Sequence, residues 1–218
     1  MEKLSENIEK AINMGLFRIE GNKIFYPNGK SYIYSDPEEL VRAQLIFDLI
    51  TKYKYPKNRI DTEVYADRRE PKLPADIVIY EDDELNKAFL VVECKADSSE
   101  EKIKEAKKEG LGNATLQKSK YLVIECGSYR KVFDLSREPS LKKLDDYVIA
   151  DIPVSYDKVS EYRFKKQDPN NDLGNVNFKE LSLLFQKCHN ILWAGGKRDP
   201  AIAFDEMSKL MFAKLSDE

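Results

Sequence analysis

Glu93 and Lys95 stand two residues apart at the end of the apolar run Phe89-Leu90-Val91-Val92, and Asp76 heads a second apolar run, Ile77-Val78-Ile79-Tyr80. A short apolar run bounded by charge reads as a buried strand, and alternation along it puts Glu93 and Lys95 on one face at its end. A carboxylate beside an ammonium suits a metal ligand next to a group that orients water. Two strand ends then offer the carboxylates of Asp76 and Glu93 to one Mg²⁺, a hard cation that takes oxygen ligands. The competing reading makes Glu93 and Lys95 ordinary strand-end charges facing water. The tripeptide alone does not decide, since Glu-x-Lys recurs at Glu100 to Lys102 and Glu105 to Lys107 in a polar helical run. The first is set apart by its place after an apolar strand, behind a second strand that begins with Asp.

Other residue types narrow the chemistry by exclusion. His189 is the single histidine, so paired-histidine hydrolases, His-rich metal cages and Ser-His-Asp triads with a spare base are hard to assemble. It lies in an amphipathic helical stretch and reads as structural. Gly195-Gly196-Lys197 lacks both the earlier glycine and the following Ser or Thr of a phosphate-binding loop, and there is no Gly-x-Gly-x-x-Gly fingerprint. Cys94, Cys126 and Cys188 are far apart and odd in number, which fits buried thiols in a reducing compartment better than disulfides or a zinc site. Phosphate chemistry would therefore rest on carboxylates, a metal and lysine.

The net charge of −3 does not advertise a nucleic-acid binder. Clustered carboxylates would themselves repel a phosphodiester, so a divalent cation would be needed to bring it in. Three basic runs offer phosphate contacts: Lys52, Lys54, Lys57 and Arg59; Arg68 and Arg69; and Lys102, Lys104, Lys107 and Lys108. The last reads better as a solvated helix face, with Glu and Lys three or four apart. No apolar run approaches a membrane span, and Met1-Glu2-Lys3-Leu4-Ser5 has no signal-peptide core. The expected location is cytoplasmic.

These residues need a scaffold. At 218 residues and 42% hydrophobic content the chain can bury one sizeable core and part of a second. The pattern predicts a helix over residues 4–14 and short aromatic strands over 16–19, 23–26 and 32–34, punctuated by Gly21-Asn22 and Asn28-Gly29. Asp36-Pro37-Glu38-Glu39 combines a cap, a proline in the first turn and an acid three residues after the cap, opening a core helix that runs to about Tyr53. Strands follow over 59–66 and through Asp76 and Glu93; Ser98-Ser99-Glu100-Glu101 opens a helix to about Leu111, and strands over 121–125 and 130–135 complete the set. A helix between two adjacent strands implies a parallel crossover in an otherwise mixed sheet, hence an α/β class.

Asp36-Pro37-Glu38-Glu39-Leu40-Val41-Arg42, the strand carrying Asp76, and Val92-Glu93-Cys94-Lys95-Ala96 together resemble the N-terminal nuclease domain of type I restriction enzyme R subunits, within the PD-(D/E)xK superfamily. The resemblance covers roughly residues 36–135, with its three anchors in the required order and spacing. It implies a restriction-endonuclease-like core, with a mixed central sheet flanked by helices, and Mg²⁺-dependent cleavage of double-stranded DNA. By the same resemblance Asp76, Glu93 and the Cys94 backbone carbonyl would face the metal, Lys95 would position or activate water, and Glu39 would sit beside them. Many relatives carry Gln-x-x-x-Tyr on the helix after the Glu-x-Lys strand. Gln117-Lys118-Ser119-Lys120-Tyr121 matches it literally, yet Gln117 falls in a loop before a strand, and the helical glutamine aligns near Glu109 instead.

After a polar, irregular stretch from Lys165 to Asn177 the sequence changes character. Residues 178–192 form an amphipathic helix, 193–198 a turn, and Asp199-Pro200 caps a second helix with Phe204, Met207, Leu210 and Met211 on one side. Trp193-Ala194-Gly195-Gly196 through Phe204 to Leu210 resembles the opening of the helical domain of type I adenine-specific DNA methylases, without a methylase's cofactor and catalytic motifs. The expected organisation is residues 1–35 as an N-terminal helix and small strands, 36–160 as the nuclease core, 161–177 as a linker and 178–218 as a helical hairpin. The hairpin would be the start of a methylase part, cut from a longer chain and leaving its apolar stripe incompletely covered, or else a hairpin packed on the nuclease core. The favoured function is a Mg²⁺-dependent endonuclease domain working with the methylase and specificity parts of a restriction-modification system. The alternatives are a non-catalytic DNA-binding or docking module of the same fold, and a repair or junction-resolving enzyme.

Overall fold

The computed structural model describes residues 5–65, 73–137, 140–154, 156, 177–193, 199, 201–202 and 204–209. The chain divides into two compact units, residues 1–172 and 173–218. In the first, helix α1 (Glu6–Asn13) starts at Ser5, whose hydroxyl accepts from the Ile8 N–H. An antiparallel meander follows, β1 (Arg18–Glu20), β2 (Lys23–Phe25) and β3 (Ser31–Ile33), turning at Gly21 and Gly29. Both glycines have positive φ, 59° and 82°, a region other residues reach only with strain. Helix α2 (Pro37–Thr51) begins as expected, with the Asp36 carboxylate accepting from the Glu38 N–H and proline in the first turn.

The main sheet has six strands in the order β4 (Ile60–Val64), β5 (Ala75–Tyr80), β6 (Ala88–Lys95), β7 (Tyr121–Cys126), β8 (Tyr129–Asp134), β9 (Val148–Ile149). Every neighbouring pair is antiparallel except β6 and β7, which are parallel and joined through helix α3 (Glu100–Leu116). The chain thus adopts the expected α/β class, a mixed sheet flanked by helices. All residues of β5, β6 and β7 are buried, which explains why their sequences read as continuous apolar runs. Alternation still sorts them. Ile77, Ile79, Leu90 and Val92 pack with Leu45, Ile46 and Leu49 of α2, whereas Val78, Val91, Leu122 and Ile124 pack with Ala106 and Ala114 of α3.

Helix α3 departs from the sequence reading at both ends. Ser99 is its N-cap without a side-chain capping bond; the Asp97 carboxylate instead accepts the Ser99 N–H at 2.8 Å. The helix continues through Gly110 and Gly112 to Leu116, past the expected end at Leu111. Gly110 is no breaker because it lies against the sheet: a Cβ there would meet Leu122 Cδ1 at 2.9 Å and Glu93 Cβ at 3.1 Å. In the second unit, α4 (Phe178–Trp193) forms as expected, and residues 201–202 and 204–209 are helical. Phe204 is exposed and Met207 is buried, while Leu210, Met211 and the turn over 194–198 lie outside the described residues. No helix among the described residues is long and apolar enough to cross a membrane.

Candidate active site

The sheet brings Asp76 and Glu93 to one end because β5 and β6 run antiparallel, so the start of one lies beside the finish of the other. The Asp76 Oδ2 atom accepts the Cys94 N–H at 2.7 Å, just beyond the last paired residues, Ile77 and Val92. Asp76 is held by the Cys94 backbone and by Arg42 of α2, whereas Glu93 and Lys95 have the parity of Val91 and so belong to the α3 face. Close approach of α3 at Gly110 then lets its polar side chains reach them. Lys95 Nζ donates to Glu109 Oε2 at 2.8 Å and to Glu93 Oε1 at 3.2 Å. Asn113, one turn after Glu109, donates Nδ2 to the Pro74 carbonyl at 3.1 Å and to Glu93 Oε2 at 3.4 Å.

Helix α2 closes the site from its N-terminal end. Arg42 Nη2 donates to Asp76 Oδ1 at 2.5 Å and to Glu63 Oε1 at 2.7 Å, and Arg42 Nη1 donates to Glu39 Oε2 at 2.8 Å. The other Glu39 oxygen accepts the Tyr26 hydroxyl. Glu39, Arg42, Asp76, Glu93 and Lys95 are all buried.

Burial and like charge set the protonation states. Glu93 is pushed well above the usual carboxylate range, first by burial and then by the neighbouring Asp76 charge. Burial acts to lower the Lys95 ammonium, but the Glu109 hydrogen bond and the Glu93 and Glu38 charges outweigh it, so Lys95 stays protonated far above neutral pH. Glu38 is raised by burial and by Asp76, with Lys95 opposing.

Four of the residues singled out in the sequence, Glu39, Asp76, Glu93 and Lys95, lie at one end of the sheet, with Glu39 reaching Asp76 through Arg42. It is held by Tyr26 and Arg42, whereas the helix acid whose charge bears on both Asp76 and Lys95 is its neighbour Glu38. Arg42, Glu63 and Asn113 were not singled out. An arginine among the apolar positions of a core helix was the available signal for Arg42, and a polar pair at i, i+4 around a glycine was the signal for Asn113. Gln117 is the C-cap of α3 and takes no part, while Glu109 reaches Lys95. Arg68 and Arg69 lie outside the described residues. Arg59 is spent on Asp83 and the Glu81 carbonyl, Lys52 on Asp151, and Lys107 on Asp145.

Among the described residues, six carboxylates around this point (Glu38, Glu39, Glu63, Asp76, Glu93, Glu109) accompany two cations, Arg42 and Lys95. The donors are hard oxygens, the kind Mg²⁺ takes. Among the described residues no three His, Cys, Asp or Glu side chains form a metal cage on their own. A cation here would have to be shared between one or two carboxylates, water and a phosphate, which is the usual manner of Mg²⁺.

Fold and site together define an α/β domain with an acid-rich, lysine-bearing cluster where two central strands meet. Residues 37–153, more than half of the 218, match the family described as type I restriction enzyme R protein N terminus (HSDR_N), and the chain belongs to that family. No curated protein matches the chain.

Proposed function

We propose that this domain is a Mg²⁺-dependent DNA endonuclease of the PD-(D/E)xK superfamily, hydrolysing phosphodiester bonds for a restriction-modification enzyme. The observation that carries the reading is the gathering of acids at one end of the sheet, where Glu39, Asp76 and Glu93 are buried and Glu38, Glu63 and Glu109 half-buried, against Arg42 and Lys95 among the described residues. Burial and the Asp76 charge raise the affinity of Glu93 for a proton, which fits a carboxylate that a cation would stabilise. Asp76 and Glu93 would hold Mg²⁺, helped by the Cys94 carbonyl. That carbonyl faces the β5 side because a strand residue turns its N–H and C=O toward the same neighbour, and the Cys94 N–H already points at Asp76. When bound, the metal supplies charge neutralisation for the phosphodiester and lowers the pKa of a bound water.

The chain's own groups do the rest. Lys95, braced between Glu93 and Glu109, would donate a hydrogen bond that positions or activates the attacking water beside the scissile phosphate. Asn113 restrains the second Glu93 oxygen, so that carboxylate keeps one direction. Partners are double-stranded DNA and the methylase and specificity parts of the system. The helical segment after residue 177 would lead toward the methylase part, and residues 36–160 form the nuclease core.

One observation favours a second reading, a non-catalytic DNA-binding or docking module. Both Asp76 oxygens already accept protein donors, as a purely structural ion pair would require. Plasmid nicking separates the two. The wild-type chain should nick supercoiled DNA with Mg²⁺ or Mn²⁺, Lys95→Ala and Glu93→Gln should lose at least a hundredfold, and Lys107→Ala should keep its rate. Equal activity in wild type and Lys95→Ala would leave the docking reading standing.

A further inference from the structure

Tyr26 and Tyr32 belong to the meander before residue 37 and so lie outside the family match, yet both act on the site. Tyr26 donates to Glu39, Glu39 accepts from Arg42, and Arg42 donates to Asp76 Oδ1, making one continuous buried chain from the meander to a strand-end acid. Tyr32 lies under the guanidinium, its ring centre 4.9 Å from Arg42 Cζ, and its hydroxyl is tied to Thr62 Oγ1 at 2.9 Å. The meander is itself fastened to β4, with Asn28 Nδ2 at 2.9 Å from both Asp61 Oδ1 and Thr62 Oγ1.

The backbone supplies a second, independent observation. Thr62 pairs with Ile77 and Val64 with Ala75, which sets Glu63 opposite Asp76, and Glu63 takes φ of +49° inside the strand. Strain of that kind persists only where surrounding structure over-determines it, and it gathers at functional sites. Here it accompanies a Glu63 carboxylate 2.7 Å from the Arg42 atom that also holds Asp76. Buried ion networks add little to stability, because desolvation offsets the attraction. Here the network has a geometric consequence: both nitrogens of the Arg42 fork are tied down, one to Glu39 and the other to Glu63 and Asp76.

We propose that Arg42 is the positioning residue of the site, clamped by Tyr26 through Glu39, by Tyr32 and by Glu63, so that Asp76 presents its carboxylate to a divalent cation in one fixed direction. The meander is then a working part of the nuclease. This rests on the metal-dependent reading above and names what tunes the metal site from outside the matched segment.

Calorimetric titration of the 218-residue chain with Mn²⁺ alone, without DNA, tests it in Tyr26→Phe and Arg42→Lys. Tyr26→Phe keeps the ring and removes only the hydroxyl, so it should unfold within a few degrees of wild type while its Mn²⁺ dissociation constant rises at least threefold. Arg42→Lys keeps the charge but loses the fork, and should raise the constant at least tenfold. In both, excess Mg²⁺ should restore most of the nicking rate, which a merely structural lesion would not allow. Dissociation constants equal to wild type would overturn the clamp while leaving the nuclease reading intact. Failure of the wild type to bind Mn²⁺, or undiminished binding in Glu93→Gln, would overturn the metal reading and the clamp with it.

Discussion

Gly110→Ala is the substitution in which helix propensity and site geometry pull in opposite directions. Alanine in a helix interior is favoured over glycine by about 0.5–1 kcal/mol. Against this, the new methyl group would lie 2.9 Å from Leu122 Cδ1 and 3.1 Å from both Ile124 Cδ1 and Glu93 Cβ. The leucine and isoleucine methyls are ends of rotatable side chains and can turn aside. Glu93 Cβ cannot, because β6 is paired on both edges. Overpacking of this kind costs about 1–3 kcal/mol, so the steric effect wins by about 1 kcal/mol. In a protein of this size that lowers the thermal midpoint by about 2–4 °C. The site suffers more than the fold: α3 must retreat by a few tenths of an ångström, and it carries Glu109 and Asn113, which brace Lys95 and Glu93. Cleavage should fall about tenfold, since misplacement by 1 Å can cost about a hundredfold. Scanning calorimetry and plasmid nicking read the two effects. A variant that is more stable than wild type and equally active would refute the close approach of α3 to Glu93.

Two further outcomes follow from burial and charge. Under native conditions a thiol reagent should modify Cys188 promptly and leave Cys94 and Cys126 untouched, because burial holds the Cys94 thiol well above its ordinary pKa and pushes Cys126 up to about 12; mass spectrometry of the labelled peptides decides. Glu38→Ala should change the Mg²⁺ concentration needed for half-maximal nicking with little effect on the thermal midpoint, since Glu38 is only half-buried while its charge bears on Asp76 and Lys95; an unchanged Mg²⁺ titration would count against it.

What could be read from the sequence was local. The buried strands ending in Glu93 and beginning near Asp76, the Asp36 cap with Pro37, and the parallel crossover all follow from hydrophobic pattern and capping chemistry, which act within a few residues. The miscast parts depend on distant neighbours. Gly110 looks like a helix breaker until β6 and β7 are seen against it, and α3 runs on through Gly112 to Leu116. Adjacent helix residues point about 100° apart, so Glu39 is held by Tyr26 and Arg42 while the charge of its neighbour Glu38 bears on Asp76 and Lys95. Arg42 pairs with Glu39 at i, i+3 on its own helix, a spacing the sequence does show, but its other partners Glu63 and Asp76 lie on β4 and β5, and no spacing rule connects positions so far apart. Lys107 reads as a solvated helix lysine yet is largely covered and paired with Asp145.

Crystals of the chain soaked in Mn²⁺ and recorded at the manganese absorption edge test the central claim most directly. The account predicts an anomalous peak between the carboxylates of Asp76 and Glu93, within direct coordination distance of an oxygen of each, with Lys95 still bridging Glu93 and Glu109. A peak elsewhere, or none with Asp76 still closed by Arg42 and the Cys94 N–H at saturating Mn²⁺, would contradict it.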